Sequence, residues 1–381
     1  MSTSKRHSSS KSEGGNPKAR PPPSAPRPSA SILLLSPTNK VLLLHRVRTS
    51  SSFPSAHVFP GGNLSSFHEG PIPGVDSPSR HVDGDAYRLA AVRETFEESG
   101  ILLARREGGG GLLNVPSDVM EDGRKKVHSE QVKFREWVAS LGGTPDVESL
   151  LPFTRWVTPT NQPKRFTTQM YLYMLPLPPS SAEDLRNAEA AAVKQETIIQ
   201  VPTHDGGLEH TAATFDSIST WLAKARDGSI ILFPPQLFLL TLLSEFLTGD
   251  PASSASADEK IRYYSDQRAA ALEFLSRTPT SPAGLAGAKQ HPAALVPWAD
   301  KVMSPTALFM LPGDGRLVLG LDKPGPELAQ SGRAGDPDRV VLVDFKKEGP
   351  RRVEVRSRQE VLRQKREAEE AESKDTSKGK L

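Results

Sequence analysis

The chain has 381 residues, 36% of them hydrophobic, with 34 prolines, 29 glycines, no cysteine and a formal net charge of +3. So small a charge gives no basis for nucleic-acid binding, and the lack of cysteine excludes disulfides, thiolate zinc sites and a cysteine nucleophile. The longest apolar run, around Ile230 to Phe246, is cut by Pro234-Pro235-Gln236 and is too short to span a bilayer, so a soluble protein of about two domains is expected.

Residues 1–29 are rich in Ser, Pro, Lys and Arg, and Glu13 is their only acid. They lack the apolar residues for a core and are expected to be disordered. The same composition fits a mitochondrial transit peptide, although no amphipathic stripe accompanies it. Ser31–Ser36 and Val41–Val47 flank Pro37-Thr38-Asn39-Lys40, which predicts a β-hairpin of two buried strands. Ser51–Ser55 reads as a loop, and His57-Val58-Phe59 as a short strand ending in Pro60-Gly61-Gly62. The two glycines permit a close backbone approach that a side chain would forbid. Asn63 to Gly84 is polar, with several Pro and Gly, and reads as a surface loop.

Asp85 to Ser99 is the central predicted helix. Glu94, Glu97 and Glu98 fall at i, i+3 and i+4 and share one of its faces. Leu89, Val92 and Phe96 lie roughly opposite, toward a core, and Gly100 supplies the stop. A solvated acidic face is the plain reading of such a run. Carboxylates clustered away from an apolar stripe also suit a hard divalent cation with oxygen ligands.

Ile101–Leu103 reads as a strand, Gly108–Gly111 as a break, and Val115 to Leu141 as an inserted helix ending at Gly142-Gly143. Leu150–Val157 and Phe166–Leu175 are strand-like, with the polar loop Thr158 to Arg165 between them. Glu196–Val201 reads as a strand, and Phe215–Ala225 and Pro235–Leu247 as helices. Pro251 to Asp258 looks like a linker, Arg262–Leu275 a helix and Pro279–Ala288 a loop. Ala307–Leu311, Arg316–Leu321, Val340–Phe345 and Arg352–Val355 are expected to form an antiparallel sheet packed on the main domain. Gln359–Lys374 is a charged helix. The expected divisions are 1–29, 30–248, a linker at 249–258, a β-rich extension at 259–358, and a charged helix and tail at 359–381.

Pro60-Gly61-Gly62, followed by a helix bearing Arg93-Glu94-x-x-Glu97-Glu98-x-Gly100 and an aliphatic residue, resembles the Nudix box, G-x5-E-x7-R-E-U-x-E-E-x-G-U, where U is bulky and aliphatic. Thr95 stands where an aliphatic residue is usual. Residues 63–84 replace the five residues that usually follow the glycine, and Asp85 stands where a Glu is expected. Val41–Arg46, Ser55–Gly62, Trp156-Val157-Thr158-Pro159, Lys164–Thr168 and Pro234-Pro235-Gln236 are further similar to the acyl-coenzyme A diphosphatase branch related to Nudix motif 19 proteins. The coenzyme A signature of related enzymes is met only in part. Arg46 fits it, but Leu44 replaces a Thr, and Ser51 and Ser55 stand where Arg and Gly are usual.

The resemblance implies an α/β fold. It would be a Nudix-type α/β/α sandwich with a mixed sheet, an insertion inside the box and a small C-terminal β-rich extension. It implies a diphosphatase using Mg²⁺ or Mn²⁺ held by Glu94, Glu97 and Glu98, with one of the carboxylates as general base. Gly61 and Gly62 would approach metal and phosphate, and Arg46, Lys164 and Arg165 would bind the substrate. For Lys164 and Arg165, exposed loop cations are an equal reading. The implied substrate is acyl-coenzyme A or coenzyme A, giving 3′,5′-ADP and a 4′-phosphopantetheine derivative. Alternatives are NADH, a nucleotide sugar or an RNA cap, and a non-catalytic Nudix-fold binding module.

Arg93 is expected to pair with a box carboxylate, His45 and His57 to pack, Glu209 to be a loop residue rather than an extra catalytic acid, and Trp156 and Phe166 to pack in the core. The expected partner is a small nucleotide-type molecule, with no stable nucleic-acid partner. Oligomeric state is left open. The basic N-terminus leans toward a mitochondrial address; the tail Ser377-Lys378-Gly379-Lys380-Leu381 departs from peroxisomal Ser-Lys-Leu, which stays with cytoplasm as an alternative.

Overall fold

The computed structural model describes residues 23–46, 55–109, 111–177, 198–202, 208–281 and 291–378. Outside these fall the expectations for residues 1–22, for the loop at 51–54, for the loop residues 282–288 and for the last three residues of the tail.

The hairpin forms as its sequence predicts, from β1 (Arg27–Leu35) and β2 (Val41–His45). β1 starts inside the segment expected to lack structure. Two short strands follow, β3 (His57–Val58) against β2 and β4 (Gly61–Asn63) against β1. Helix α1 (Asp85–Ser99) ends where Gly100 turns left-handed at φ 74 and donates its N–H to the Phe96 carbonyl. Ile101–Leu103 is not a strand; the pairing begins one residue later, in β5 (Ala104–Arg106). The insertion is two helices rather than one, α2 (Ser117–His128) and α3 (Phe134–Ser140), before β6 (Gly143–Pro145).

β7 (Leu151–Val157) and β8 (Phe166–Met174) lie as expected, then β9 (Ile198–Pro202), β10 (Leu208–Asp216), α4 (Ile218–Asp227) and α5 (Pro234–Leu243). The main sheet runs β7-β8-β1-β2-β10-β9. It is mixed, because β1 lies parallel to β8 and antiparallel to β2.

Both faces of this sheet are covered, which explains why its strands read as unbroken apolar runs. Ile32 and Leu34 point to one side, where Leu89, Val92 and Phe96 of α1 pack with Phe134 and Trp137 of α3. Leu33 and Leu35 point to the other side, against Trp221 and Phe238 of α4 and α5. No helix among the described residues is long and apolar enough to cross a membrane.

The C-terminal part shares this second core. The segment read as a linker leads into α6 (Ala257–Ser276), opened by a Ser256–Glu259 capping box. The Arg268 guanidinium of α6 is buried and donates to Asn39 Oδ1 at 2.7 Å and to the Ser36 and Leu175 carbonyls at 2.7 and 2.8 Å. β11 (Val302–Met303) extends the main sheet beside β7. β12 (Thr306–Met310), β13 (Leu317–Leu321), β14 (Asp336–Lys346) and β15 (Gly349–Ser357) form the expected antiparallel sheet, and α7 (Arg358–Lys378) closes the described chain. Leu319, Leu321, Val341 and Val343 join the core under α5. Residues 259–358 and 30–248 therefore share one apolar interior.

Asn63–Gly84 corrects the reading of a surface loop. Leu64, His68, Arg80 and His81 are buried. Arg80 donates to the carbonyls of Pro26 and Pro73 and accepts from the Tyr87 hydroxyl. Its polar side chains are tied inward, which composition alone does not reveal. His81, within this segment, turns inward with Nδ1 3.0 Å from Thr167 Oγ1. Burial and then Arg155 lower its pKa to about 4, with smaller help from Arg80 and Arg333 and with Glu327 opposing.

The folded state thus binds its proton more weakly than the unfolded chain does. The contribution of a neutral His81 is complete above the unfolded value of about 6.5 and is lost as pH falls from there toward 4. His81→Asn is expected to flatten the decline of Tm with pH between about 7 and 4.5. An unchanged slope would place the acid sensitivity elsewhere.

Candidate active site

Helix α1 builds the site because two of its faces have different work. Leu89, Val92 and Phe96 anchor it on β1, which turns Glu94 and Glu98 toward the Pro60-Gly61-Gly62 turn. The Gly61 N–H donates to Glu98 Oε2 at 2.9 Å. A Cβ at Gly62 would lie 2.4 Å from the Glu94 carboxylate carbon, and one at Gly61 would lie 2.3 Å from the Ala30 carbonyl oxygen. Both glycines are therefore set by close approach, Gly62 to a carboxylate and Gly61 to the neighbouring strand.

Arg93 lies in the middle of the acids. Its Nε is 2.8 Å from Glu69 Oε1, its Nη1 is 2.9 Å from Glu94 Oε1 and 2.8 Å from Glu97 Oε1, and its Nη2 donates to the Asn63 carbonyl. The expected ion pair is thus present, with three carboxylates rather than one. Burial, opposed by Arg93 and reinforced by Glu97 and Glu98, pushes the Glu94 carboxyl up to about 8.

Glu97, expected among the ligands, is engaged on both of its oxygens. One oxygen faces Arg93 and the other is 3.0 Å from His128 Nδ1. Burial would raise its carboxyl, but the His128 hydrogen bond and the Arg93 charge hold it below the ordinary value. Among the described residues, no three His, Asp or Glu side chains are gathered to hold a metal ion.

These carboxylates open into a cleft of about 1300 Å³, lined also by Arg46, Lys164, Trp156, Phe166 and Thr168. The structure brings Arg46, Gly61, Gly62, Lys164, Glu94, Glu97 and Glu98 to this one cavity. It removes Arg165, a correction to the reading of a phosphate clamp. That guanidinium is 2% exposed and binds the Thr158 and Ser24 carbonyls and Glu327, since a buried cation needs partners.

His45 and His57 stack at 4.7 Å, with His57 5.7 Å from Trp221, a packing arrangement. Trp156 packs edge-on against Phe238 while lining the cleft. Glu209 is on strand β10, opposite Val201, rather than in a loop.

Two residues of the site escaped the sequence. Glu69, and not Asp85, reaches Arg93; counting the box forward from Gly62 lands on His68, one residue away from it. His128 comes from α2, inside the insertion, and no local pattern marks it.

Residues 76–241 match the family model of the NUDT19 Nudix domain. Over that segment the chain is similar to the Nudix superfamily, in its NUDT19-like branch. It is 34% identical over 225 residues to "Putative nudix hydrolase 7" of Caenorhabditis elegans, covering 59% of this chain and 62% of that one. It is 27% identical over 269 residues to "Acyl-coenzyme A diphosphatase NUDT19" of Gallus gallus, covering 58% and 65%. It therefore spans less than two thirds of these curated relatives. A solved NUDIX hydrolase from Alicyclobacillus acidocaldarius aligns with 57% of this chain and 90% of its own, at 22% identity and a TM-score of 0.40.

Nudix proteins generally use divalent metal ions. The acid face of α1 fits such an ion through Glu94 and Glu98, with Glu97 engaged by Arg93 and His128. Mg²⁺ is usually held by one or two carboxylates together with water and substrate phosphates, and not by an all-protein cage. Glu94 and Glu98 meet that need, and the burial that chiefly raises the Glu94 carboxyl, with the added charges of Glu97 and Glu98, is a penalty a cation relieves. Gly62→Ala tests the placement. The strand is expected to survive, because a flexible carboxylate end can move aside, while displacement of Glu94 lowers kcat on the order of 10²-fold. Wild-type turnover in Gly62→Ala would show that the position of Glu94 is not critical.

Proposed function

We propose that this protein is a metal-dependent diphosphatase that adds water across the P–O–P bond of a nucleoside diphosphate derivative, with acyl-coenzyme A or coenzyme A as substrate. The reading rests chiefly on one observation: the acid face of α1 and the cleft cations Arg46 and Lys164 belong to one cavity. A diphosphate needs cations along its oxygens and a metal-binding acid pair at its reacting phosphorus. Relatives from Gallus gallus and Homo sapiens named acyl-coenzyme A diphosphatase support the choice of substrate. The products would be 3′,5′-ADP and a 4′-phosphopantetheine derivative.

Each residue has a part in this chemistry. Glu94 and Glu98 would hold Mg²⁺ or Mn²⁺. Such an ion supplies charge neutralisation at phosphate oxygens and a more acidic bound water. Arg93 keeps Glu94 and Glu97 in register, and His128 fixes Glu97 from the insertion. Gly61 orients Glu98 through its N–H. Arg46 and Lys164 take phosphate charge along the cleft. A carboxylate of the cluster receives the proton of the attacking water.

The test is a substrate panel with Mg²⁺ or Mn²⁺, containing coenzyme A, acyl-coenzyme A, NADH, a nucleotide sugar and capped RNA, read by product mass. Release of 3′,5′-ADP from the coenzyme A compounds at the highest kcat/KM is expected. Preference for another member would reassign the substrate, and inertness toward all would return the domain to a binding module.

A further inference from the structure

The cleft does not end at the phosphate-binding residues. Part of its wall is built by the C-terminal sheet, from strands that follow the matched Nudix domain. Ala307 of β12, Leu317 and Leu319 of β13, and Phe345 and Pro350 at the β14–β15 turn line it, facing Phe233 ahead of α5. Strand alternation accounts for this wall. Val341 and Val343 are buried in the shared core, and Phe345, two residues further on the same strand, carries that apolar face past the edge of the core. Phe345 stands opposite Pro350 across the hairpin and remains 55% exposed. A large aromatic left in water at the mouth of a cleft is more informative than a scattered surface apolar residue. One cavity therefore combines carboxylates, Arg46 and Lys164, and an apolar wall.

We propose that the C-terminal sheet is the specificity wall of this cleft: Leu317, Phe345 and Pro350, with Phe233, hold an apolar chain carried by the diphosphate substrate. The inference rests on the reading of the cleft as a diphosphate site and adds to it the part of the chain that selects acylated over unacylated substrate. A ligand carrying both phosphates and an acyl chain matches a cavity lined by both kinds of residue. A wholly polar nucleotide would leave the wall exposed.

The experiment uses the full-length protein in EDTA, so that binding is read without turnover. Titration calorimetry compares coenzyme A with dodecanoyl-coenzyme A below its micelle concentration. The wild type is expected to bind the acylated ligand roughly tenfold or more tightly, as burial of several methylenes implies. Phe345→Ser and Ala307→Asp replace exposed side chains, so folding does not depend on them. Each should weaken dodecanoyl-coenzyme A several-fold more than coenzyme A. Equal affinities in the wild type, a preference unchanged in both variants, or no binding of either ligand would overturn the proposal. A chain preference in binding, with no hydrolysis once Mg²⁺ is restored, would sink the diphosphatase reading and leave the wall standing.

Discussion

Glu98→Gln is expected to lower kcat on the order of 10²-fold or more while the protein keeps its fold. The amide preserves size and can still accept the Gly61 N–H that Glu98 Oε2 accepts at 2.9 Å, so the turn and the helix stay in place. The substitution removes the charge of one of the carboxylates proposed to hold a cation, and a neutral amide is a poorer ligand for a hard divalent ion. The apolar side of α1 is untouched, so circular dichroism and cooperative melting should match the wild type. The rise in Tm on adding Mn²⁺ should shrink, because an ion that binds only the folded state stabilises it by mass action. If Glu98→Gln hydrolyses the preferred substrate at the wild-type rate, the acid face of α1 is not the catalytic centre.

Arg93→Met is expected to cost stability first and activity as a consequence. The guanidinium is 3% exposed and meets Glu69, Glu94 and Glu97 within 2.9 Å. Burial would depress its pKa, but the three carboxylates outweigh that and raise it well above the ordinary arginine value. Methionine fills much of the volume and leaves those acids without their cation. Removing one partner of a buried ion pair typically costs about 3–5 kcal/mol, because the remaining charge is uncompensated. A marked fall in Tm and in the denaturant midpoint is therefore expected, with partial recovery at low pH, where the carboxylates take up protons. A variant as stable as the wild type would mean that the acids are neutralised by some other group.

The two substitutions separate roles that the sequence presents as one motif. Glu94, Glu97 and Glu98 look equivalent when read as i, i+3 and i+4 on a helix. The fold gives them different neighbours. Glu98 meets a backbone N–H, Glu94 meets a glycine and an arginine, and Glu97 is held between an arginine and a histidine. The insertion helix α2 and the loop at 63–84, which the sequence sets apart from the box, supply His128 and Glu69 to its centre.

By itself the sequence determined α1 with its stop at Gly100, the hairpin at Pro37–Lys40, the strands β7 and β8, the C-terminal sheet and the placement of three acids on one helix face. Each of these follows from local rules, since a helix period, a left-handed glycine or an alternating apolar run is settled within a few residues. Only the tertiary structure decided which neighbour each acid meets, why Arg165 is sealed against Glu327, that residues 259–358 share the main core, and that Phe345 lines the same cleft as the acids. Those outcomes depend on groups far apart along the chain. A buried charge takes whatever partner the packing brings within hydrogen-bond reach, and one-dimensional spacing carries no record of it.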